Sequence, residues 1–393
     1  MCSQCQLDWA PRFARAGSYR RTLVTTTAAV PIRVPRLSCV WGGTVPVEFA
    51  TVGRYARSWA DVQARARQLS GWCLALRDVR EVLAGESGTG LAPSTLNRWV
   101  HQAAALAATW RGASFHRGPP VGLLDGVWVQ VREPPGGRSC DKAGRERERP
   151  RRVKVPVLVA DGLDPAPGER WLLDWEQTAG EDAASGRGRL ERLQARGRRA
   201  DAGRGLFGHD GSAGREAAFG LVDFGPSVLR QRCIFHVLRN LGEHVRGTPG
   251  QTRAERRAHR RALLEEAAAG WEPLDVSGAR ARYRAVCARW RPTEAAAGAA
   301  LERVFPLTLA YLEARARGRE CGQAWPVQAV RTTSPLERRN RMLRPQARPV
   351  GTFQAAPGLL AAAVLVRVHH GATAPAPAPD LWSDLLEAGL LAA

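Results

Sequence analysis

The strongest constraint on the fold is a set of three apolar, β-branched segments in the middle of the chain. They span residues 121–131, 153–160 and 170–175, and a charged loop, 132–152, separates the first two. Runs of this length that are rich in Val and Leu favour β-strands, and consecutive strands with simple connections favour an antiparallel meander. We expect Asp125 to lie inside the first strand and a turn at Asp161–Gly162.

Helices and strands alternate after this meander. A polar helix over 183–197 is followed by a short apolar strand at Leu206–Phe207, which ends at Asp210–Gly211. A helix, a strand beyond Gly225–Pro226 and another helix complete the series. Three strands followed by helix, strand, helix, strand and helix is the order of the ribonuclease-H-like fold. We therefore predict an α/β fold class with an RNase-H-like mixed sheet that helices flank.

The rest of the chain divides by composition around this predicted core. Residues 247–325 are rich in Ala, Arg, Leu and Glu and predict an all-α insertion, while 371–393 contain an Ala-Pro repeat that is typical of a linker. The expected organisation is a ribbon-like region at 1–50, a helical region at 52–116, a catalytic domain built from 120–246 and 326–370, the insertion at 247–325 and a tail at 371–393.

The first region carries half of a zinc-ribbon pattern. Cys2 and Cys5 form one thiolate pair, but Cys39 is followed by Trp41 and Gly42 where its partner would stand. A structural zinc site needs four ligands in a tetrahedron. Two interpretations remain: a decayed ribbon in which residual zinc on Cys2, Cys5 and Cys39 is uncertain, or unrelated free thiols.

The second region resembles a helix-turn-helix module. A helical pattern ends near Gly85, and a Gly-containing turn leads to a new helix with Ser94 as its expected N-cap. The alternative is an ordinary helical hairpin. We expect DNA to contact the polar side chains Ser94, Thr95, Asn97 and Arg98, with Leu96, Trp99 and Val100 facing inward.

The charge balance indicates a polyanionic partner. The 58 Lys and Arg exceed the 37 Asp and Glu, for a formal charge of +21. Such an excess favours nucleic acid, although the composition of a GC-rich genome is an alternative cause. The chain has neither a secretory signal pattern nor an apolar window long enough to span a membrane. We expect a cytoplasmic, nucleoid-associated protein with no membrane partner.

Three acidic residues fit a metal-dependent phosphoryl-transfer site. Asp125 lies in the first strand, Asp210 ends a later strand, and Glu337 follows the helical insertion. Two-metal catalysis requires carboxylates that converge from different elements on a pair of cations. Each residue also has a simpler interpretation: a turn, a solvated helix charge or, for Asp125, replacement by the nearby Asp161 or Asp174.

Four motifs in this order resemble the Mutator-like group of bacterial insertion-sequence transposases. They are LLDGVWVQV around Asp125, HDG at Asp210, QRCIFHVLRNL from Gln231, and TTSPLERRNRMLR leading through RPVGTF, which contains Glu337. The resemblance implies an RNase-H-like core with a DDE triad of Asp125, Asp210 and Glu337. It also implies two Mg²⁺ or Mn²⁺ ions held by these residues, terminal inverted repeats and target DNA as double-stranded partners, and a homo-oligomer.

The same motifs suggest supporting residues. The family pattern places Cys233, His236, Arg239 and Asn240 beside the triad, and we assign Cys233 and His236 to packing or site support rather than to zinc. A basic face beside Glu337 favours phosphate contact over a merely solvated surface. Its members are Arg338, Arg339, Arg341 and Arg344.

Two alternatives keep parts of this prediction. A nuclease, or an inactive or domesticated transposase that only binds DNA, would retain the fold, and the missing fourth cysteine favours decay. A non-enzymatic zinc-ribbon and helix-turn-helix regulator would bind DNA without cleaving it. That second alternative leaves the long insertion and Glu337 without a role.

Overall fold

The structure is a computed structural model that describes most of the chain. The described residues are 13–39, 43–47, 57–72, 74–110, 119–133, 137–140, 143–148, 151–164, 170–197, 205–225, 228–320, 322, 325–326, 330–337, 340 and 356–369. Cys2, Cys5, Arg338, Arg339, Arg341, Arg344 and the tail at 371–393 lie outside them, so the predictions on those residues stay predictions.

The first described segment is a three-stranded antiparallel sheet. Its order is β1-β2-β3, with Leu23 and Val34 buried. Cys39 is buried at the end of β2, and its N–H donates to the carbonyl of Gly43 at 2.8 Å. The strands are β1 (Phe13–Val24), β2 (Ala29–Cys39) and β3 (Thr44–Pro46).

Three helices follow and share a small core. Val62, Leu69, Val79, Leu83 and Leu96 recur at helical spacing and are buried against one another. The second helix ends at Gly88, whose φ of 68° allows the left-handed turn into the third. The helices are α1 (Ala60–Gly71), α2 (Leu76–Ser87) and α3 (Pro93–Trp110).

A five-stranded mixed sheet forms the centre of the fold, as the sequence predicts. Its order is β10-β9-β4-β7-β8; β4, β7 and β8 are antiparallel neighbours, and β9 and β10 run parallel to β4. This is the order and direction of an RNase-H-like sheet. The strands are β4 (Val121–Glu133), β7 (Arg151–Leu163), β8 (Arg170–Gln177), β9 (Gly205–His209) and β10 (Val228–Arg232), and the loop between β4 and β7 adds a separate pair, β5 (Arg138–Cys140) and β6 (Glu146–Glu148).

The predicted turn at Asp161–Gly162 is wrong. Strand β7 continues to Leu163, and Asp161 and Gly162 pair with Leu123 and Gly122 of β4. An Asp-Gly pair is a common turn signal, but here the adjacent strand extends far enough to keep the ladder of hydrogen bonds in register.

Helices cover both faces of the sheet, because alternate side chains of each strand point to opposite sides. Leu124, Leu173 and Phe207 pack on one face with α4 (Ala183–Ala195) and α5 (Ala213–Leu221). Leu123 and Val127 belong to the core on the other face, with Val237 of α6 (Ile234–His244).

The predicted insertion is all-α, and it covers the edge strand β10. Buried Gln231 of β10 donates to the carbonyl of Thr308 at 2.9 Å and accepts from the N–H of Tyr311 at 2.8 Å. Trp271, Phe305 and Tyr311 fill its interior. The helices are α7 (Arg253–Ala269), α8 (Val276–Trp290), α9 (Ala295–Val304), a 3-10 turn (Phe305–Thr308) and α10 (Ala310–Glu320).

The last described helix, α11 (Ala356–His369), packs on α1, α3 and β8. Val100 of α3 and Leu359 of α11 belong to the same buried cluster as the sheet residues Val121 and Val129. The helical region and the sheet therefore share one hydrophobic core. Within the described residues, no helix is both long and apolar enough to cross a membrane.

Candidate active site

Asp125 lies on the central strand β4 and is buried, with 7% of its surface exposed. Asn340 Nδ2 donates to its Oδ2 at 2.6 Å. Burial raises the pKa of Asp125, and the charge of Arg215 and hydrogen bonds from Gly126 and Asn340 oppose that rise. The carboxylate is thus held by a neutral donor and remains close to a guanidinium.

Asp210 stands beside Asp125 because their strands are parallel neighbours. Leu124 of β4 aligns with His209 of β9, so the residues that follow each of them lie at the same edge. Asp210 Oδ1 accepts from the N–H of Ser212 at 3.0 Å and forms an ion pair with Arg215. Burial alone would raise the pKa of Asp210, but Arg215 and the Ser212 amide lower it to about 2.

Glu337 reaches the same place from a segment that docks on the start of α6. The N–H of Thr333 donates to Cys233 Sγ at 3.2 Å, and the N–H of Ile234 donates to the carbonyl of Arg331 at 3.3 Å. Glu337 Oε1 accepts from Thr333 Oγ1 at 3.0 Å and lies 3.5 Å from His236 Nδ1. The segment of Glu337 thus meets the two aspartates through its neighbours: His236 feels the charges of both Glu337 and Asp210, and Asn340, three residues after Glu337, contacts Asp125.

Cys233 and His236 connect the strand β9 to Glu337. Cys233 is the N-cap of α6, and its N–H donates to the carbonyl of His209 at 2.8 Å. Burial raises the pKa of the Cys233 thiol, but hydrogen bonds from His236 and Thr333 outweigh burial and lower it. Burial lowers the pKa of His236, but Cys233, Glu337 and Asp210 outweigh burial and raise it.

Arg215 is a site residue that the sequence prediction missed. It is 3% exposed, and its Nη2 donates to Glu181 Oε2 at 3.2 Å while Nη1 pairs with Asp210. A Cβ at Gly126 would overlap both Glu181 and Arg215, so the glycine after Asp125 leaves room for this pair. Gly126 was the only hint in the sequence that a large side chain packs against Asp125. An arginine in a short helix otherwise suggests a solvated charge.

Thr333 and Asn340 were also missed as site residues. Both belong to the TTSPLERRN motif, yet only their contacts with Glu337 and Asp125 reveal a role. Of the other predicted support residues, Arg239 is exposed on α6 and Asn240 is half-buried. The rival carboxylate Asp174 is buried in an ion pair with Arg192 at 2.8 Å.

The carboxylates fit hard divalent cations such as Mg²⁺ or Mn²⁺. Among the described residues, the hydrogen bonds and ion pairs of Asp210 fall on Oδ1 and those of Glu337 fall on Oε1. Carboxylate oxygens are the ligands that these cations prefer.

The predicted DNA-contacting helix has the expected two faces. Ser94, Asn97 and Arg98 are exposed and Thr95 is half-exposed, while the residues facing inward are buried. The helix begins at Pro93, so Ser94 lies in the first turn and the N-cap prediction is wrong. Proline is favoured at this first position because its missing N–H has no partner there. The buried residues are Leu96, Trp99 and Val100.

The order and directions of the strands in the central sheet define a protein of the ribonuclease-H-like class. The chain belongs to the Mutator family of transposases: the family model described as "Transposase, Mutator family" matches residues 8–370. The predicted resemblance is thereby confirmed.

Two curated relatives are described as transposases of insertion-sequence elements. The transposase for insertion sequence element IS905 of Lactococcus lactis subsp. lactis (strain IL1403) is 23% identical over 279 residues, 71% of this chain and 62% of that protein. The transposase for insertion sequence element ISRM5 of Rhizobium meliloti (strain 1021) is 28% identical over 234 residues, 59% of this chain and 52% of that protein. The chain thus spans about half to three-fifths of their lengths.

Among solved structures, the Drosophila P element transposase strand transfer complex aligns with 85% of this chain and 82% of that chain. The identity is 12% and the TM-score is 0.32. The fold assignment therefore rests on the strand order and directions.

Proposed function

We propose that this chain is a DDE transposase that binds the ends of a mobile DNA element and catalyses metal-dependent strand cleavage and transfer. The observation that carries the proposal is that Asp125 and Asp210 follow aligned residues of two adjacent strands, while the distant segment of Glu337 reaches them through Asn340 and His236. Family membership supports the class of reaction, and the arrangement of the carboxylates supports the mechanism.

The chain's own residues hold each carboxylate for this role. Asn340 orients Asp125, Arg215 keeps Asp210 ionised, and Thr333 fixes Glu337. When bound, a pair of Mg²⁺ or Mn²⁺ ions would activate a water or a DNA 3′-hydroxyl and stabilise the leaving oxygen. Because strands and a helix terminus hold the carboxylates, little reorganisation is needed when DNA arrives.

Double-stranded DNA is the proposed substrate and partner. The exposed polar face of α3 suits a groove, and exposed Arg239 lies on the same helix as His236, next to the triad. The proposed sequences are the element's terminal inverted repeats and the target site, and synapsis of two ends would require a homo-oligomer. Such a protein would act on nucleoid DNA.

The test is cleavage and strand transfer on DNA that carries the inverted repeats flanking the gene, in Mg²⁺ and in EDTA. We expect products in Mg²⁺ only. Asp210→Asn should abolish cleavage and strand transfer while binding to the end DNA stays within about twofold, because it removes a charge without changing shape. Exposed Asp223→Asn is the matched control and should retain activity.

Two outcomes would contradict the proposal. Mg²⁺-dependent cleavage retained by Asp210→Asn would exclude the triad. Binding of the end DNA by the unaltered protein with no cleavage in Mg²⁺ or Mn²⁺ would identify a protein that only binds DNA.

A further inference from the structure

Cys233, His236 and Glu337 form a compact cluster whose ligand atoms all lie within 4.8 Å of one another. His236 Nδ1 and Glu337 Oε1 are 3.5 Å apart. Ligand bonds of about 2.0–2.3 Å in a tetrahedron place neighbouring donor atoms roughly 3.3–3.8 Å apart. The His236–Glu337 distance already meets that requirement, and small side-chain rotations would bring in the sulfur.

We propose that Cys233, His236 and Glu337 bind a single thiophilic divalent cation of the Zn²⁺ class. The sequence alone offered only the Cys-x-x-His pair, which is one ligand short of a plausible site. The fold adds Glu337 from about a hundred residues further along the chain. Thr333 Oγ1, which contacts both Glu337 and His236, marks a polar position where a fourth ligand, water or the hydroxyl, can complete the tetrahedron.

The fold prepares the sulfur for this role. Cys233 is fully buried, caps the N-terminus of α6 and accepts a hydrogen bond from the backbone of Thr333. A helix N-terminus and an amide donor both stabilise a thiolate, the form that binds metals. The N–H of Cys233 is held by His209, so the thiol is also fixed in position relative to the sheet.

The donor set separates this cation from the hard cations proposed for the triad. Thiolate and imidazole ligands select Zn²⁺ and similar ions, whereas Mg²⁺ and Mn²⁺ prefer carboxylates and water. Glu337 is shared, but its Oε1 faces His236 while Oε2 remains for other ligands. Binding at Cys233 and His236 does not depend on the proposed transposase reaction.

Titration with Co²⁺ as a spectroscopic substitute for Zn²⁺ tests the proposal. The full chain is used with Cys2→Ser and Cys5→Ser, so that the Cys2–Cys5 thiolate pair contributes no signal. We expect one equivalent of Co²⁺ to give a thiolate-to-cobalt charge-transfer band in the near ultraviolet, which one equivalent of Zn²⁺ displaces. Excess Mg²⁺ should leave the band unchanged.

Variants assign the ligands. Cys233→Ser should lose the band. His236→Asn and Glu337→Gln should each weaken Co²⁺ binding by about tenfold or more, because even residues that only support metal ligands typically cost that much affinity when they are replaced. The control Cys140→Ser removes an exposed thiol and should keep the band. Circular dichroism establishes that each variant is folded, and if Cys233→Ser is not, the other two ligand variants decide.

Absence of the band in the parent protein, or its persistence in Cys233→Ser, would overturn the proposal. So would unchanged affinity in both His236→Asn and Glu337→Gln. Asp210→Asn separates this proposal from the transposase function, because it should keep the cobalt band while losing strand transfer.

Discussion

At the scale of single residues, Arg215 is the unexpected member of the site. A guanidinium with 3% exposure lies between Asp210 and Glu181, and it opposes the rise in the pKa of Asp125 that burial causes. Burying one positive charge among several carboxylates is favourable only because they compensate its lost hydration. Arg215 therefore holds the acidic cluster together when no cation is bound.

Arg215→Met should lower the free energy of unfolding by about 3–5 kcal/mol in EDTA, since it leaves the mostly buried carboxylates of Asp210 and Glu181 without their shared counter-ion. Mg²⁺ should restore more stability to the variant than to the wild type, because it supplies the missing positive charge. Urea unfolding with and without Mg²⁺ measures both effects.

The control is the exposed Arg187→Met, which breaks a surface pair with Glu191 and should lower the free energy of unfolding by about 0.5 kcal/mol or less. Equal stability of Arg215→Met and wild type in EDTA would refute this role.

His209 predicts a pH dependence of stability. Burial lowers its pKa to about 4, with Asp210 opposing and Arg215, Arg230 and Arg232 reinforcing the shift, and Glu216 lies nearby. In the unfolded chain this histidine takes up a proton near pH 6.5, whereas in the folded chain it stays neutral until the pH falls to about 4. Stability is therefore complete above pH 6.5 and falls as the pH drops from 6.5 to 4.

The measurement is the free energy of unfolding of His209→Asn and wild type at pH 7 and pH 5. Asparagine keeps an acceptor for the N–H of Gly211 but does not titrate. The wild type should lose about 2 kcal/mol more than the variant between these pH values. Exposed His244→Asn should behave as the wild type does, and identical losses in His209→Asn and wild type would contradict the assignment.

The sequence alone was enough to predict the three acidic residues, but not the side chains that form hydrogen bonds and ion pairs with them. Asp125, Asp210 and Glu337 stand in recognisable motifs, whereas Arg215 and Asn340 acquire their roles only through contacts with residues far away in the chain. The periodicity of apolar residues indicates which face of a helix or strand is buried. It does not indicate which charged residue, far away in the sequence, will contact that face.

At the scale of elements, the close approach of α5 to the loop before α4 positions Arg215. Gly214, at the start of α5, touches the backbone of Glu181 and Asp182, and a Cβ there would overlap those atoms. Gly220, on the same helix, has open space around it. Comparing alanine substitutions at the two positions therefore distinguishes the effect of close packing, present only at Gly214, from the effect of helix propensity, present at both.

Gly214→Ala should lower the free energy of unfolding by about 1–3 kcal/mol, because α5 must move away from Glu181. Gly220→Ala, the matched control, should raise it by roughly 0.5–1 kcal/mol through its better helix propensity. Thermal or urea unfolding of both variants gives the comparison. Equal effects of the two substitutions would show that the contact does not constrain α5.

The elements themselves were largely predictable. The strands β4, β7 and β8 and the helices of the insertion follow apolar patterns of period 2 and 3.6. The errors concern boundaries: Asp161–Gly162 belongs to a strand, and α3 begins at Pro93 rather than after Ser94. At Asp161–Gly162 the pairing with β4 overrides the local preference for a turn. At α3 the proline occupies the first helical position, which places Ser94 inside the helix.

At the scale of the whole molecule, the helical region and the sheet share a core through α3 and α11. The face of α3 that is proposed to contact DNA therefore lies on a helix that packs into the same core as the strand that carries Asp125. With a net charge of +21, the molecule should also bind DNA without sequence preference at low salt.

Arg98→Ala should weaken binding to element-end DNA and reduce the slope of log affinity against log salt by about 1, if Arg98 contacts a phosphate. Exposed Arg187→Ala on α4, far along the chain from this helix, should leave the slope unchanged. Fluorescence anisotropy at several salt concentrations measures the slope. An unchanged slope and affinity in Arg98→Ala would exclude this face from the interface.

The hydrogen bond from Asn340 to Asp125 joins residues that are 215 positions apart. Ribosomes add roughly 5–20 residues per second, so about 10–40 seconds of translation separate the two. Throughout that interval the nascent chain already carries α3, the helix proposed to contact DNA, but Asp125 still lacks its partner Asn340. Under the proposed function, a message that is cut short before Glu337 would yield a protein that occupies DNA and competes with the intact transposase.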